Sequence, residues 1–222
     1  MTTIAAVLFD LDGTLIDSNE LHVSAWREVF ADAGHHVSDE RLRGQIGKGG
    51  DKLVPAVLPD ATQDEQEALS DAHGKLFKSR YIVRARPFPG ARVLLARLAE
   101  AGVKLVLATS ASRGELDHYV ALLDAKTLIA ASTTIDDVAQ SKPAPDVFAA
   151  ALKKVGVDAG AAVAVGDSPF DMESARKAGI APVGVRSGGF DDGALTEAGA
   201  VALYDDVADL LARLDGSPLA PR

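Results

Sequence analysis

The chain has 222 residues, 47% hydrophobic and 25% charged, a globular balance with room for one large domain or a core carrying a smaller insert. A net charge of −9 argues against a nucleic-acid partner, which needs a basic face. The lack of cysteine excludes disulfides and Cys-ligated zinc and fits a reducing cytoplasm, and no apolar run approaches the roughly 18 residues of a membrane span.

Met1-Thr2-Thr3 leads into the apolar run 4–9 with no basic region before it, so no secretory signal is expected. That run reads as a buried strand and ends in Phe9-Asp10-Leu11-Asp12-Gly13-Thr14. In an extended chain residues i and i+2 point to the same side, so Asp10 and Asp12 face one small volume. Unpaired charges cost several kcal/mol each to bury, so packing does not explain the pair and chemistry does. Residues 17–86 read as helical throughout, with Leu21, Ala25, Val29 and Phe30 at helical spacing. A plain crossover needs only about a dozen residues. The longer interval therefore predicts an inserted helical module, residues 17–86, in an α/β core of residues 1–16 and 87–222.

Further strands are expected at 103–108, 161–165 and 181–185, and a weaker one at 128–131. Helices are expected at 113–123, 145–155 and 169–178. The alternation predicts a doubly wound parallel sheet. Residues 216–222 read as disordered.

In such sheets ligands bind beyond the carboxyl ends of the strands. Thr109-Ser110 follows one strand, Gly166-Asp167 through Asp171 follows another, and Ser141-Lys142-Pro143 precedes a helix. Several carboxylates share a pocket only if a cation neutralises them, and a small set of oxygen ligands favours Mg²⁺. Lys142, the Thr109 hydroxyl and free amides at a helix start would face an anion. This layout suits attack on a phosphoryl group, with Asp10 as nucleophile and Asp12 as acid and base.

Asp10-Leu11-Asp12-Gly13-Thr14, Thr109, Lys142 and Gly166-Asp167 through Asp171, in that order, resemble the haloacid-dehalogenase superfamily of phosphohydrolases. The likeness runs from Asp10 to about Leu214 and is nearest the phosphoglycolate phosphatase and β-phosphoglucomutase branch. It implies Mg²⁺ held by the Asp10 side chain, the Asp12 carbonyl and Asp167. It gives Thr109, Ser110 and Lys142 to the phosphoryl group, and Asp171 to orienting Lys142 or a metal-bound water. It implies that the helical insert is a cap. The dehalogenases lack an aspartate at the position of Asp12, so carbon–halogen cleavage is not expected. The expected protein is a Mg²⁺-dependent phosphatase of a small phosphorylated metabolite, either a monomer or a homodimer. A sugar phosphomutase and a non-catalytic binder of phosphorylated ligands are the alternatives.

Gly44-Gln45-Ile46-Gly47-Lys48-Gly49-Gly50 fits neither GxxxxGK[ST] nor GxGxxG. It reads either as a flexible inter-helix loop or as a specificity loop in which Lys48 meets a substrate anion. Arg43 and Lys52 are weaker candidates for that contact. His22 matches a histidine that lies near the acid/base aspartate in the mutase branch. His73 and His118 read as helix-surface residues.

Overall fold

The computed structural model describes residues 4–220. β1 (Ala6–Phe9) is buried along its whole length, as an unbroken apolar strand of a parallel sheet must be. A turn at Gly13 (φ 76°) leads to the two-residue strand β2 (Ile16–Asp17). Four helices follow: α1 (Asn19–Asp32), α2 (Asp39–Arg43), α3 (Gly50–Val57) and α4 (Gln63–Leu76). A π-helical turn, Phe77–Tyr81, carries the chain to β3 (Arg86–Pro87), which pairs antiparallel with β2. Then come α5 (Ala91–Glu100), β4 (Lys104–Ala108), α6 (Arg113–Leu122), β5 (Ile129–Thr133) and α7 (Asp146–Val155). The chain ends through β6 (Ala162–Gly166), α8 (Pro169–Lys177), β7 (Ala181–Val185), α9 (Asp192–Ala198), β8 (Ala202–Tyr204) and α10 (Val207–Ala212).

The main sheet runs β5-β4-β1-β6-β7-β8 and is parallel throughout. The chain fills one side of β1 with β4 and β5, then crosses to the other side for β6. The carboxyl ends of β4, β1 and β6 therefore meet at the point where the strand order reverses, the place where such sheets bind ligands. Alternate residues feed two cores. Val7, Phe9, Leu105, Leu107, Val163 and Val165 pack with Leu94, Leu98, Leu116 and Leu210 on one face. Ala6, Leu8, Val106 and Ala164 pack with Val147, Phe148 and Ala151 on the other. Each fully buried aliphatic or aromatic side chain contributes about 1.5–3 kcal/mol. A third cluster, including Val23, Trp26, Phe30, Leu42, Leu53 and Leu69, joins α1, α2, α3 and α4 over the sheet's carboxyl edge.

The doubly wound α/β architecture stands as expected. Four details differ. The interval 17–86, expected to be helical throughout, has Asp17 and Arg86 at its ends paired in the strands β2 and β3. The weakly expected strand at 128–131 runs two residues further, because Ser132 and Thr133 pair with β4 beyond a register shift. β8 extends the sheet beyond the strands expected, since Ala202-Leu203-Tyr204 is too short to stand out as a periodic run. Residues 216–220 are ordered onto the core rather than disordered. Leu219 is fully buried beside Leu214, and the Ser217 hydroxyl donates to Leu214 O at 2.7 Å and accepts from Leu219 N. The rest of that stretch, 221–222, lies outside the described residues. No helix among the described residues is long and apolar enough to cross a membrane.

Candidate active site

Asp10 leaves β1 as the last residue tied into the sheet, its N–H bonded to Val165 O. Its carboxylate meets the buried Lys142 ammonium at 2.5 Å (Oδ1 to Nζ). Lys142 also reaches Asp171 Oδ1 at 2.7 Å. Asp171 is fixed in turn by the start of α8, where Ser168 caps the helix and Asp171 Oδ2 accepts from the Ser168 N–H and hydroxyl at 3.1 and 2.5 Å. Asp171 thus both closes a capping box and orients the lysine.

Asp167, at the end of β6, takes Asn19 Nδ2 at 2.9 Å and the Thr14 hydroxyl at 3.2 Å. Backbone crowds it closely. A Cβ on Gly13 would lie 2.1 Å from Asp167 Oδ2, and one on Gly188 would lie 2.0 Å away. Only glycine fits at either position, and at Gly13 the positive φ adds a second reason.

Carboxylate oxygens of Asp10, Asp167 and Asp171 lie within 4.8 Å of one another. Burial pushes the Asp10 carboxyl up to about 7, with Lys142 opposing the rise and Asp171 adding to it. Burial likewise lifts Asp167 well above its ordinary range, with Asp171 and Asp10 adding repulsion. Burial works against the Lys142 ammonium too, but the two carboxylates outweigh it and raise its pKa. Three buried acids against one lysine leave an excess of negative charge that a hard cation would neutralise. The donor set fits such an ion. Asn19 supplies a second indication, because its Nδ2 is committed to Asp167 while its buried Oδ1 has no partner among the described residues. An acceptor left bare beside a carboxylate cluster suits a water held by a bound cation.

Asp12 lies outside that cluster of three but lines the same cleft as Asp10. One of its oxygens, Oδ1, accepts from the Ser18 hydroxyl at 2.6 Å and the Tyr119 hydroxyl at 2.8 Å, with His22 Nε2 at 3.0 Å. Burial alone would raise Asp12, but His22, Ser18 and Tyr119 outweigh it and hold the carboxyl below its ordinary value. Burial lowers His22 and the Asp12 charge more than restores it, so its pKa is raised.

His73, expected on the helix surface, lies inside the site. Its ring stacks on Trp26 with centroids 4.0 Å apart, and its Nε2 is 3.4 Å from His22 Nδ1. Phe77 stacks on His22 with centroids 3.8 Å apart and on His73 at 5.9 Å. Burial and the neighbouring His22 charge keep the His73 imidazole well below its ordinary pKa. Ser18, Asn19, His73 and Tyr119 were all missed from sequence. Only the helix start at Ser18-Asn19, directly after the acid motif, offered a signal for any of them.

A cleft of about 1080 Å³ opens between the α1–α4 layer and the sheet edge, lined by Asp10, Asp12, His22, Lys48, Thr109 and Ser110 among others. The Thr109 side chain accepts from Ala111 N–H at 3.0 Å, and Ser112, not Thr109, caps α6. The amides expected to be free after Thr109 are partly used, because Ser112 N–H donates to Glu115. Lys48 is partly buried, 4.4 Å over the Phe170 ring and 2.6 Å from Gln45 Oε1. Arg43 is not at the cleft. It is exposed on α2 and paired with Glu20 at 2.6 and 2.8 Å, so its charge is answered elsewhere. Lys52 reaches Gln140 instead of the cleft.

The family model for haloacid dehalogenase-like hydrolases matches residues 7–185. The chain is 34% identical to a phosphoglycolate phosphatase of Cupriavidus necator over 97% of this chain and 95% of that one. It is 32% identical to the phosphoglycolate phosphatase of Rhodospirillum rubrum over 92% and 88%. Among solved structures, a hydrolase from Pseudomonas syringae superposes with a TM-score of 0.90 at 34% identity, covering 96% of this chain and 98% of that one. CbbY from Rhodobacter sphaeroides in complex with phosphate gives 0.79 at 28% identity, covering 96% and 99%. A hydrolase match over most of the chain, joined to this sheet and this cluster of acids and lysine, places the chain in the haloacid dehalogenase-like hydrolase family.

Proposed function

We propose that this protein is a Mg²⁺-dependent phosphatase acting on a small phosphorylated metabolite through an aspartyl phosphate on Asp10. The observation that carries the reading is the division of labour between two acids two residues apart. Asp10 lies in the buried cluster against Lys142, and Asp12, in the lining of the same cleft, lies outside that cluster and is held by three donors.

In this reading residues 17–86 form the cap, and residues 1–16 with 87–222 form the core. Asp10, Asp167 and the Asp12 carbonyl would hold Mg²⁺, which neutralises charge on the phosphoryl oxygens when bound. An Asp10 oxygen attacks phosphorus, and the bond to the ester oxygen breaks. Asp12 relays to that oxygen a proton drawn from His22, whose charge the Asp12 carboxylate upholds, and the alcohol leaves. Lys142, Thr109 and Ser110 face the transferring oxygens, and Asp171 keeps the lysine aimed. A water then attacks phospho-Asp10, Asp12 takes its proton, and phosphate leaves with the Asp10 carboxylate restored. The cap excludes bulk water and places Lys48 where an anionic part of the substrate would sit. The named relatives put phosphoglycolate first among the esters to try.

The test is phosphate release from a panel of small phosphomonoesters, with and without Mg²⁺. Release that requires Mg²⁺ is expected. Isomerised sugar phosphate without free phosphate would replace the reading with a mutase. Tight ligand binding with no turnover would replace it with a binding role.

A further inference from the structure

The glycine-rich stretch between α2 and α3 touches the core at the residue next to Lys142. Gly49 N–H donates to the Ser141 hydroxyl at 3.1 Å. Ser141 N–H donates to Asp51 Oδ2 at 3.2 Å. Lys52 Nζ reaches Gln140 Oε1 at 2.9 Å. Ser141 is fully buried, and its hydroxyl also donates to Lys142 O at 3.3 Å. The glycines are what allow this approach. A Cβ on Gly49 would lie 2.7 Å from Ser141 Cβ, and one on Gly47 would lie 2.6 Å from the Ser168 hydroxyl. Gly49 has φ −73° and ψ 166°, a conformation open to any residue. What requires glycine there is the opposing surface, not the local backbone.

We infer that Gly49, Asp51 and Ser141 form a clasp whose closing sets the backbone that carries Lys142, so that the α1–α4 layer must seat on the core before the lysine is aimed at Asp10. Ser141 and Asp51 are positioning residues, since neither lies among the groups assigned to the reacting atoms. The Gly49 N–H stands at the head of α3, where no helical carbonyl is available to it. The partner the structure gives it is across the interface. Opening the layer frees that amide and strips Ser141 of both contacts in one event. A misplacement of about 1 Å at a charged group facing the substrate costs on the order of 100-fold in rate.

The kinetic arm of the test rests on the phosphatase reading. Gly49→Ala is expected to lower kcat/KM at least about tenfold, with the loss mainly in kcat. Gly44→Ala, where the nearest atoms to a new Cβ are 3.7 Å away, is expected to stay within about twofold. Asp51→Asn keeps an acceptor for Ser141 N–H and is expected to match the parent, whereas Asp51→Ala follows Gly49→Ala. Equal activity in all four variants overturns the clasp. The second arm needs no turnover. Hydrogen exchange at the Gly49 amide is compared in the parent and in Ser141→Ala. Protection that falls at least about tenfold in the variant supports the clasp, and unchanged protection overturns it. The two arms let the clasp and the phosphatase reading fail separately.

Discussion

Lys142 Nζ stands 2.5 Å from Asp10 Oδ1 and 2.7 Å from Asp171 Oδ1, so a single buried ammonium bridges two buried carboxylates. Removing either partner has a different consequence. Asp10→Asn keeps the shape and a carbonyl for Lys142 but takes away the nucleophilic charge. Turnover should fall at least about 10⁴-fold while the melting temperature moves little, measured by phosphate release and thermal denaturation. Lys142→Met leaves two acids buried without their cation and should cost about 3–5 kcal/mol of stability in a urea titration.

Divalent cation should stabilise the folded chain directly. The excess acid in the Asp10, Asp167 and Asp171 group repels itself, and an ion bound only by the folded form adds stability by mass action. At a concentration 100 times its dissociation constant, Mg²⁺ should add about 2.7 kcal/mol. The difference in melting temperature between Mg²⁺ and chelator is the readout. Asp167→Asn should shrink it, and a difference that survives the substitution would place the ion elsewhere.

His22 gives a pH signature. Its folded pKa lies above the ordinary 6.5 because Asp12 faces it. Stability from the charged pair is therefore fully present below pH 6.5 and is lost as pH rises through the raised value. Asp12, held low, contributes above its ordinary value and loses that contribution as pH falls through its depressed one. The stability gap between the parent and His22→Gln should be widest between these limits and close at alkaline pH, read from denaturation at a series of pH values.

Lys48 and Arg43 should separate cleanly. Lys48→Ala removes a partly buried cation from the cleft and should raise KM about tenfold or more for an ester with a second anionic group, with little change in kcat. Arg43→Ala breaks an exposed pair with Glu20 and should leave both constants within about twofold. Matching effects in the two variants would remove Lys48 from substrate recognition.

The sequence carried the acids of the site because Asp10 and Asp12 form a local pattern, and Asp167 and Asp171 do so at a strand end. Short apolar or β-branched runs also carried β1, β4, β6 and β7, each buried but for the first residue of β4 and of β7. Other features depended on contacts between distant segments. Tyr119 finds Asp12 from a helix more than a hundred positions along the chain, and nothing in its own neighbourhood marks it. His73 sits among polar residues of α4, where one face reads as solvated. Trp26 and His22 on another helix turn it inward. Leu219 follows Gly-Ser-Pro and so looked like a tail, but one buried leucine is enough to anchor it. The glycines at 47 and 49 were ambiguous for the same reason, because the surfaces they accommodate belong to other parts of the chain.

Both passages between sheet and helical layer run through β2 and β3, side by side, with Asp17 opposite Arg86 and Ile16 opposite Pro87. Everything from residue 18 to residue 85 therefore leaves and returns through one doorway, about 5 Å wide. A tight hairpin turn could bridge it. An exchange of the segment would need a single splice point, yet it would have to refill the places that Ala25, Phe77, Tyr81 and Ile82 take in the core under the sheet.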